Sequence, residues 1–228
     1  MDLQAPDHTT LCRRAKDVEL PSIGRHHDGP VHLIVDSTGL KIYGAGEWCS
    51  RKHRKANERS GWRKLHIGVD GDGYVVAEVL TENTVDDADV VPALLGQVDD
   101  PVGRFTGDGG YDKRGVYEAV AKASDGDVEV VIPPRRAGAG SQSATGTWGQ
   151  RNRHLERIGE VGRRAWQKET GYRQQARVEG TFLRYKRMLG GRLRAKGLAS
   201  QKLEARLGCL VLNKMFELGK ARSYAVIG

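Results

Sequence analysis

Asp36 and Asp108 lie in the segments VDSTG and GDGGYD, each after a short apolar run, with 71 residues between them. A third carboxylate, Glu179, follows after 70 more, in the most basic and most clearly helical stretch of the 228-residue chain. Carboxylates at or just beyond the C-terminal ends of strands line the crevice where α/β sheets gather ligands and reacting groups. The glycines around Asp108 carry no side chain, so backbone and ligand can approach closely there. Three such carboxylates make a hard oxygen donor set of the kind Mg2+ takes, with waters and phosphate oxygens filling its other positions. Two such ions, about 3.5–4 Å apart, can activate a water or a 3′-hydroxyl and stabilise the leaving oxygen of an in-line phosphoryl transfer.

The stretch around Glu179 has further features. Tyr172, Glu179 and Lys186 are spaced by seven, two helical turns less about 20°, so they line one stripe. Lys186 offers a point charge to a phosphate oxygen, and Tyr172 a hydroxyl or a stacking ring to nucleic acid. Val178, Phe182 and Leu189 form a neighbouring apolar stripe that docks the helix on a sheet. The alternative is a solvated helix face on which the three polar residues fall by accident.

These residues need a scaffold, and the chain supplies an alternating one. HLIVD (32–36) is a buried strand ending at Asp36. Residues 62–70 and 74–81 flank Gly71-Asp72-Gly73 and read as a hairpin. Residues 86–98 are helical in period, with acidic residues at the N-terminal end where the helix dipole favours them. A strand over 104–106 stops at Gly107-Asp108, a helix follows over 113–123, and VEVVI (128–132) is a strand ended by Pro133-Pro134. Strand, hairpin, helix, strand, helix, strand is a mixed-sheet α/β layout. Residues 137–149 are rich in Gly and Ser and predict a flexible loop. Beyond it lie helices over 174–189 and 200–218, the last with Leu203, Leu207, Leu210 and Val211 on one face. The first thirty residues are nearly neutral, with one helix expected over 11–20.

Charge is distributed in blocks. Lys and Arg exceed Asp and Glu by eight overall, but residues 41–66 carry +6, residues 67–134 carry −11 and residues 135–206 carry +13. Basic blocks around an acidic middle suit a polyanion held over carboxylates, which repel it unless divalent cations sit between. The bland account is a set of solvated basic helix faces, although +13 over one segment exceeds what solubility requires. No apolar run approaches a membrane span, and the N-terminus lacks a signal-peptide pattern, so cytoplasm is the expected location. Cys12, Cys49 and Cys209 are odd in number and far apart, which excludes a disulfide scaffold and zinc-finger spacing. No Walker loop, dinucleotide fingerprint or HExxH is present.

Taken in order, VDSTGLKIYGAGEW, WRKLHIGVD, GDGGYD, and Tyr172, Glu179 and Lys186 with MLGG resemble the DDE transposases of bacterial insertion sequences, insertion-sequence family 5 type, from about Thr10 to Phe216. The resemblance implies an RNase H-like α/β fold, a mixed sheet with flanking helices followed by basic C-terminal helices. On that basis 31–220 is the catalytic domain, 1–30 an N-terminal helical linker, and 135–165 a basic, flexible insertion before the Glu-bearing helix. It further implies strand cleavage and strand transfer of DNA with Asp36, Asp108 and Glu179 as catalytic and metal-binding triad. The implied cofactor is Mg2+, two ions, with Mn2+ able to substitute. The implied partners are transposon-end and target DNA and a second copy of the chain on that DNA, with no membrane. Tyr172, Arg173, Gln175, Arg177, Lys186 and Arg187 are the expected DNA contacts. The family's helix signature of tyrosine, arginine, glutamate and lysine falls on Tyr172, Gln175, Glu179 and Lys186. Gln175 replaces the arginine and with it a bidentate phosphate contact, though Arg173 and Arg177 are adjacent. Proteins of this resemblance carry a DNA-recognition region ahead of the TLCRRAK segment, and this sequence begins almost there, so a truncated or frameshifted copy, or a catalytic core alone, is expected.

Other residues are weighed against ordinary roles. His53 and His66 are expected to be structural or at the surface, and His26-His27 to lie on a loop surface. Asp112 is a rival metal ligand, with N-cap of the following helix as the favoured role. Asp70 and Asp72 read as hairpin-turn residues. Trp48, Trp62 and Trp166 can stack on bases or pack in the core. Cys49 has no identifiable general base. Two other functions stand beside the transposase: a catalytically silent DNA-binding remnant, and a metal nuclease on the same fold that hydrolyses without joining.

Overall fold

A computed structural model of the chain describes residues 18–43, 61–124, 127–135 and 146–219, with Asp7, Thr9, Thr10 and Arg14 besides. Trp48, Cys12, Cys49, His53 and the loop residues 136–145 lie outside the described residues, as does most of the helix expected over 11–20. Val18 to Leu20, at the end of that stretch, are not helical.

The sheet is built from β1 (Val31–Ile42), β2 (Trp62–Val69), β3 (Val75–Glu82), β4 (Val102–Thr106) and β5 (Glu129–Val131), in the spatial order β3-β2-β1-β4-β5. β1, β2 and β3 form an antiparallel meander, while β4 lies parallel to β1 and β5 parallel to β4. The two parallel strands are reached through α1 (Val91–Leu95) and α2 (Arg114–Lys122). This mixed five-strand sheet with flanking helices is the RNase H-like fold. Then come α3 (Gly146–Val161), α4 (Arg163–Glu169), α5 (Ala176–Met188), the two-residue β6 (Arg192–Leu193), which pairs with the far end of β1, and α6 (Leu198–Glu217).

The apolar run in β1 is continuous because both faces of the sheet are covered. Successive side chains alternate across a strand, so Leu33 and Val35 enter one core with Phe105, Val91, Leu94, Val116 and Val120. Ile34 enters the other, with Leu40, Leu65, Ile67, Val178, Phe182, Ala205 and Cys209. The β2–β3 turn closes on Asp70, whose Oδ1 accepts from the backbone N–H groups of Asp72, Gly73 and Tyr74 at 2.9, 2.8 and 2.9 Å. Asp70 is thus a hairpin-turn residue, as expected.

Four elements differ from the sequence expectation. β1 does not stop at Asp36. It runs on to Ile42 because β2 pairs it over the whole length from Ile34↔Val69 to Lys41↔Trp62. The helix expected over 86–98 is a 3-10 turn (Asp87–Val90) followed by the short α1, with Asp86 capping the turn through a bond from Ala88 N at 3.0 Å. The Gly/Ser-rich composition predicts a loop as far as 149, yet α3 begins at Gly146. Tertiary contacts override composition there: the Trp148 ring packs edge-on against Tyr117, centroids 5.0 Å apart, and Trp166 of α4 is fully buried with its Nε1 donating to His154 Nδ1 at 3.0 Å. Finally, α6 packs mainly through Gln201, Ala205, Gly208, Cys209 and Leu212, and of the expected leucine face Leu210 is partly buried against that core while Leu207 is 49% exposed. Small residues let the helix approach α5 closely. A Cβ on Gly208 would stand 2.8 Å from the Tyr185 ring.

Candidate active site

Strand register brings the two aspartates level. The last parallel pair between β1 and β4 is Ile34↔Thr106, and Asp36 and Asp108 each lie two residues further along their own chains. β4 has ended there while β1 continues, so β1 beyond Ile34 is no longer paired by β4. Asp36 is half-buried, and Asp108 is exposed. Asp108 caps a 3-10 turn over Gly109–Tyr111, its Oδ1 accepting from Gly110 N at 2.7 Å. Tyr111, fully buried, anchors that turn in the core. Gly110 permits the close approach, since a Cβ there would fall 2.7 Å from the Asp108 carboxylate.

The third carboxylate is brought by α5. Val178, Phe182 and Tyr185 are buried against the sheet, with Leu189 partly buried beside them, as the apolar stripe predicts. Two polar bonds set the position of the helix along β1. Gln175 Nε2 donates to Val35 O at 2.9 Å, and Lys186 Nζ donates to Thr38 Oγ1 at 2.6 Å. These contacts flank Asp36 on β1, and their donors flank Glu179 on its own segment. Glu179 is exposed in the first turn of the helix.

The charges of the three carboxylates are felt at common neighbouring groups. Burial pushes the Asp36 carboxyl up to about 6, and the charges of Asp108, Glu179 and Asp87 push in the same direction against a backbone hydrogen bond from Ser37. Burial also pushes the Tyr172 phenol up to about 12, again with Asp108, Asp36 and Glu179 contributing. Among the described residues no ion pair involves any of the three, and no three His, Cys, Asp or Glu side chains stand close enough to hold an ion as they are. The all-oxygen donor set fits a hard divalent ion in its chemistry.

Of the expected DNA contacts, Arg173, Arg177, Lys186 and Arg187 are exposed on the helix and the turn before it. Tyr172 is half-buried in a 3-10 turn (Tyr172–Gln175), its ring 6.0 Å from that of Trp166. Gln175 departs from expectation: it is 4% exposed and faces the β1 backbone instead of solvent. The spacing that marks it in the family signature carries no information on burial, which is set by the packing of the segment on β1.

Asp112 is neither metal ligand nor N-cap. Lys113 occupies the cap position of α2, with no side-chain cap bond. Asp112 accepts instead from Arg151 Nε at 2.7 Å and Nη2 at 3.0 Å, with both side chains almost fully buried. His27 is not simply a surface residue either, since its ring nitrogens lie 3.1 Å from Asp70 and from Asp100. His26 is exposed. His66 is structural, fully buried with Nε2 at 2.8 Å from Thr81 Oγ1. Trp166 is core, whereas Trp62 is 37% exposed with Lys41 Nζ 5.1 Å from its ring centroid. Asp87 is the residue that sequence reasoning missed. Its carboxylate accepts from Lys64 Nζ at 2.9 Å and Ser37 Oγ at 3.0 Å, next to Asp36. The acidic cluster over 86–89 marks a helix start in sequence, and nothing local singles out the one that turns toward β1.

A family model described as "Transposase DDE domain" matches residues 27–214, most of the chain. The chain belongs to the DDE transposase domain family. A second model with the same description matches residues 1–45, and no solved structure matches significantly. DDE transposase domains belong to a phosphoryl-transfer family that acts on DNA in transposition and generally uses divalent metal ions. Among the described residues of this DDE domain, no helix is long and apolar enough to cross a membrane.

Proposed function

We propose that this DDE domain cleaves DNA and joins the freed strand to a target, as the catalytic domain (31–220) of an insertion-sequence transposase of the family 5 type, with Asp36, Asp108 and Glu179 as its triad. One observation supports the assignment above the rest: register sets Asp36 and Asp108 level, and bonds on both sides of Asp36 hold the Glu179 helix against the same strand. Asp36, Asp108 and Glu179 would hold the divalent ions, Mg2+ or Mn2+. When bound, these ions supply Lewis-acid polarisation of the phosphate and a water of lowered pKa.

The chain's own groups do the rest. Arg173, Arg177 and Arg187 bind backbone phosphates along the exposed side of the segment, and Lys186 adds a charge beside Thr38. Tyr172 keeps its proton at neutral pH and donates a hydrogen bond to a phosphate or hydroxyl oxygen. In the first step the water oxygen bonds to phosphorus as the bond to the 3′-oxygen breaks, leaving a 3′-hydroxyl and a 5′-phosphate. In the second, that 3′-oxygen attacks a target phosphate in line, and a target 3′-oxygen leaves. A second copy of the chain on the DNA lets two ends be joined together, and the cytoplasm is the compartment where the substrate is met.

The test is a nicking and strand-transfer assay on supercoiled plasmid with Mg2+, comparing wild type with Asp108→Asn and Glu179→Gln. Nicking and joining by wild type, lost in both variants, is the expected result. Hydrolysis without joining points to a nuclease instead. Salt-sensitive binding that ignores both Mg2+ and the triad substitutions points to a silent DNA-binding protein.

A further inference from the structure

Arg135 lies directly after β5 and Pro133-Pro134, outside the expected set of DNA contacts, yet its surroundings single it out. Both of its backbone hydrogen-bonding groups are held by the buried Asp112–Arg151 pair. Its N–H donates to Asp112 Oδ2 at 2.7 Å, and its carbonyl accepts from Arg151 Nη2 at 3.1 Å. The preceding carbonyl, Pro134 O, accepts from Arg163 Nη2 at 3.1 Å. Three hydrogen bonds on two consecutive residues make a stiff mount, two of them from side chains about 5% exposed or less.

That mount presses against the Asp108 turn. A Cβ on Gly109 would lie 3.4 Å from Pro133 O and 4.0 Å from Arg135 Cγ. A Cβ on Gly110 would lie 2.7 Å from Asp108 Oδ1 and 3.8 Å from Arg135 Nη2. The guanidinium and the Asp108 carboxylate therefore border the same point, while Arg135 remains exposed and forms no ion pair among the described residues. Its neighbour Arg151 is neutralised by Asp112. Arg135 is not.

We infer that Arg135 is a phosphate-binding residue, holding a DNA phosphodiester beside Asp108. A planar guanidinium takes two phosphate oxygens at once, and a rigid mount loses little freedom on binding. Asp112 and Arg151 are positioning residues for this contact. The inference rests on the DNA phosphoryl-transfer function proposed above, and it needs no bound ion.

The experiment measures binding of a fluorescent DNA duplex by anisotropy over a range of KCl, without divalent cations. It compares wild type, Arg135→Ala, Arg135→Lys and Arg157→Ala. Arg157 is an exposed arginine already paired with Glu160 and Glu169. Each phosphate contact contributes about 0.9 to the slope of log K against log salt. Arg135→Ala is expected to weaken binding about 5- to 10-fold at low salt and to lower the slope by about one. Arg135→Lys recovers the slope, Arg157→Ala changes nothing, and the melting temperature stays the same in all four. An Arg135→Ala variant with wild-type affinity and slope overturns the inference while leaving the DNA function intact. A wild type with no salt-dependent DNA binding overturns both.

Discussion

Gln175 and Val35 are 140 residues apart in the chain, and the side-chain amide of one donates to the backbone carbonyl of the other at 2.9 Å in a buried setting. Val35 precedes Asp36, and Gln175 lies four residues before Glu179. The bond couples the segment of Glu179 to that of Asp36 through the backbone, so the residue at the position of the family's arginine acts as a strut between the two segments.

Replacing that strut has a cost that can be measured. Gln175→Ala leaves the Val35 carbonyl without its partner in a buried place, a loss of about 1–3 kcal/mol. The urea midpoint should fall accordingly, and Mg2+-dependent nicking should fall further than stability alone explains. An unchanged midpoint with unchanged nicking sinks the idea of a strut.

Divalent ions should stabilise the protein through the triad. Mg2+ binding only the folded state at 100 times its dissociation constant adds about 2.7 kcal/mol, visible as a rise in melting temperature. Asp36→Asn and Glu179→Gln should each remove most of that rise. Equal shifts in wild type and variants would place the ion elsewhere.

Glu78 on β3 gives the fold its own pH dependence. Burial pushes its carboxyl up to about 7 from 4.5, against the opposing charges of Arg206 and Lys202. The folded state therefore holds more protons than the unfolded one between those values. The contribution is complete below about 4.5 and is lost as pH rises through about 7. Glu78→Gln should flatten the stability profile over that window and exceed wild type at pH 8. Thermal melts at successive pH values check it, and a variant that keeps the wild-type slope refutes the assignment.

The Asp112–Arg151 pair should be far more sensitive to losing one partner than to losing both. Arg151→Ala leaves a buried carboxylate uncompensated, a loss of about 3–5 kcal/mol. Combining it with Asp112→Asn should recover part of that, a coupling that a double-mutant cycle by chemical denaturation reads directly. Strictly additive losses would show that the two charges do not depend on each other.

The local parts of this fold are legible because they follow from local rules. The run HLIVD specifies a strand covered on both faces, Gly71-Asp72-Gly73 specifies a hairpin, and Val178, Phe182 and Leu189 specify the side of α5 that meets the sheet. Each depends on side-chain period or turn chemistry within a few residues. Where contacts from distant segments compete with local composition, they prevail. Trp148 and Trp166 stabilise helices in or just beyond a stretch that looks like a loop, and Ala205, Gly208 and Cys209, more than the leucines, supply the buried face of α6.

The sequence by itself determined the alternation of strands and helices, the basic and acidic blocks, and the three candidate carboxylates with 71 and 70 residues between them. Tertiary structure alone decided that Asp36 stands level with Asp108, that Gln175 is a buried strut, that Asp112 belongs to Arg151, and that Arg135 borders the Asp108 turn. The reason is physical: side-chain type and period report which face of an element is apolar, whereas register between strands and the partner of a buried polar group depend on segments that meet only when the whole sheet has formed.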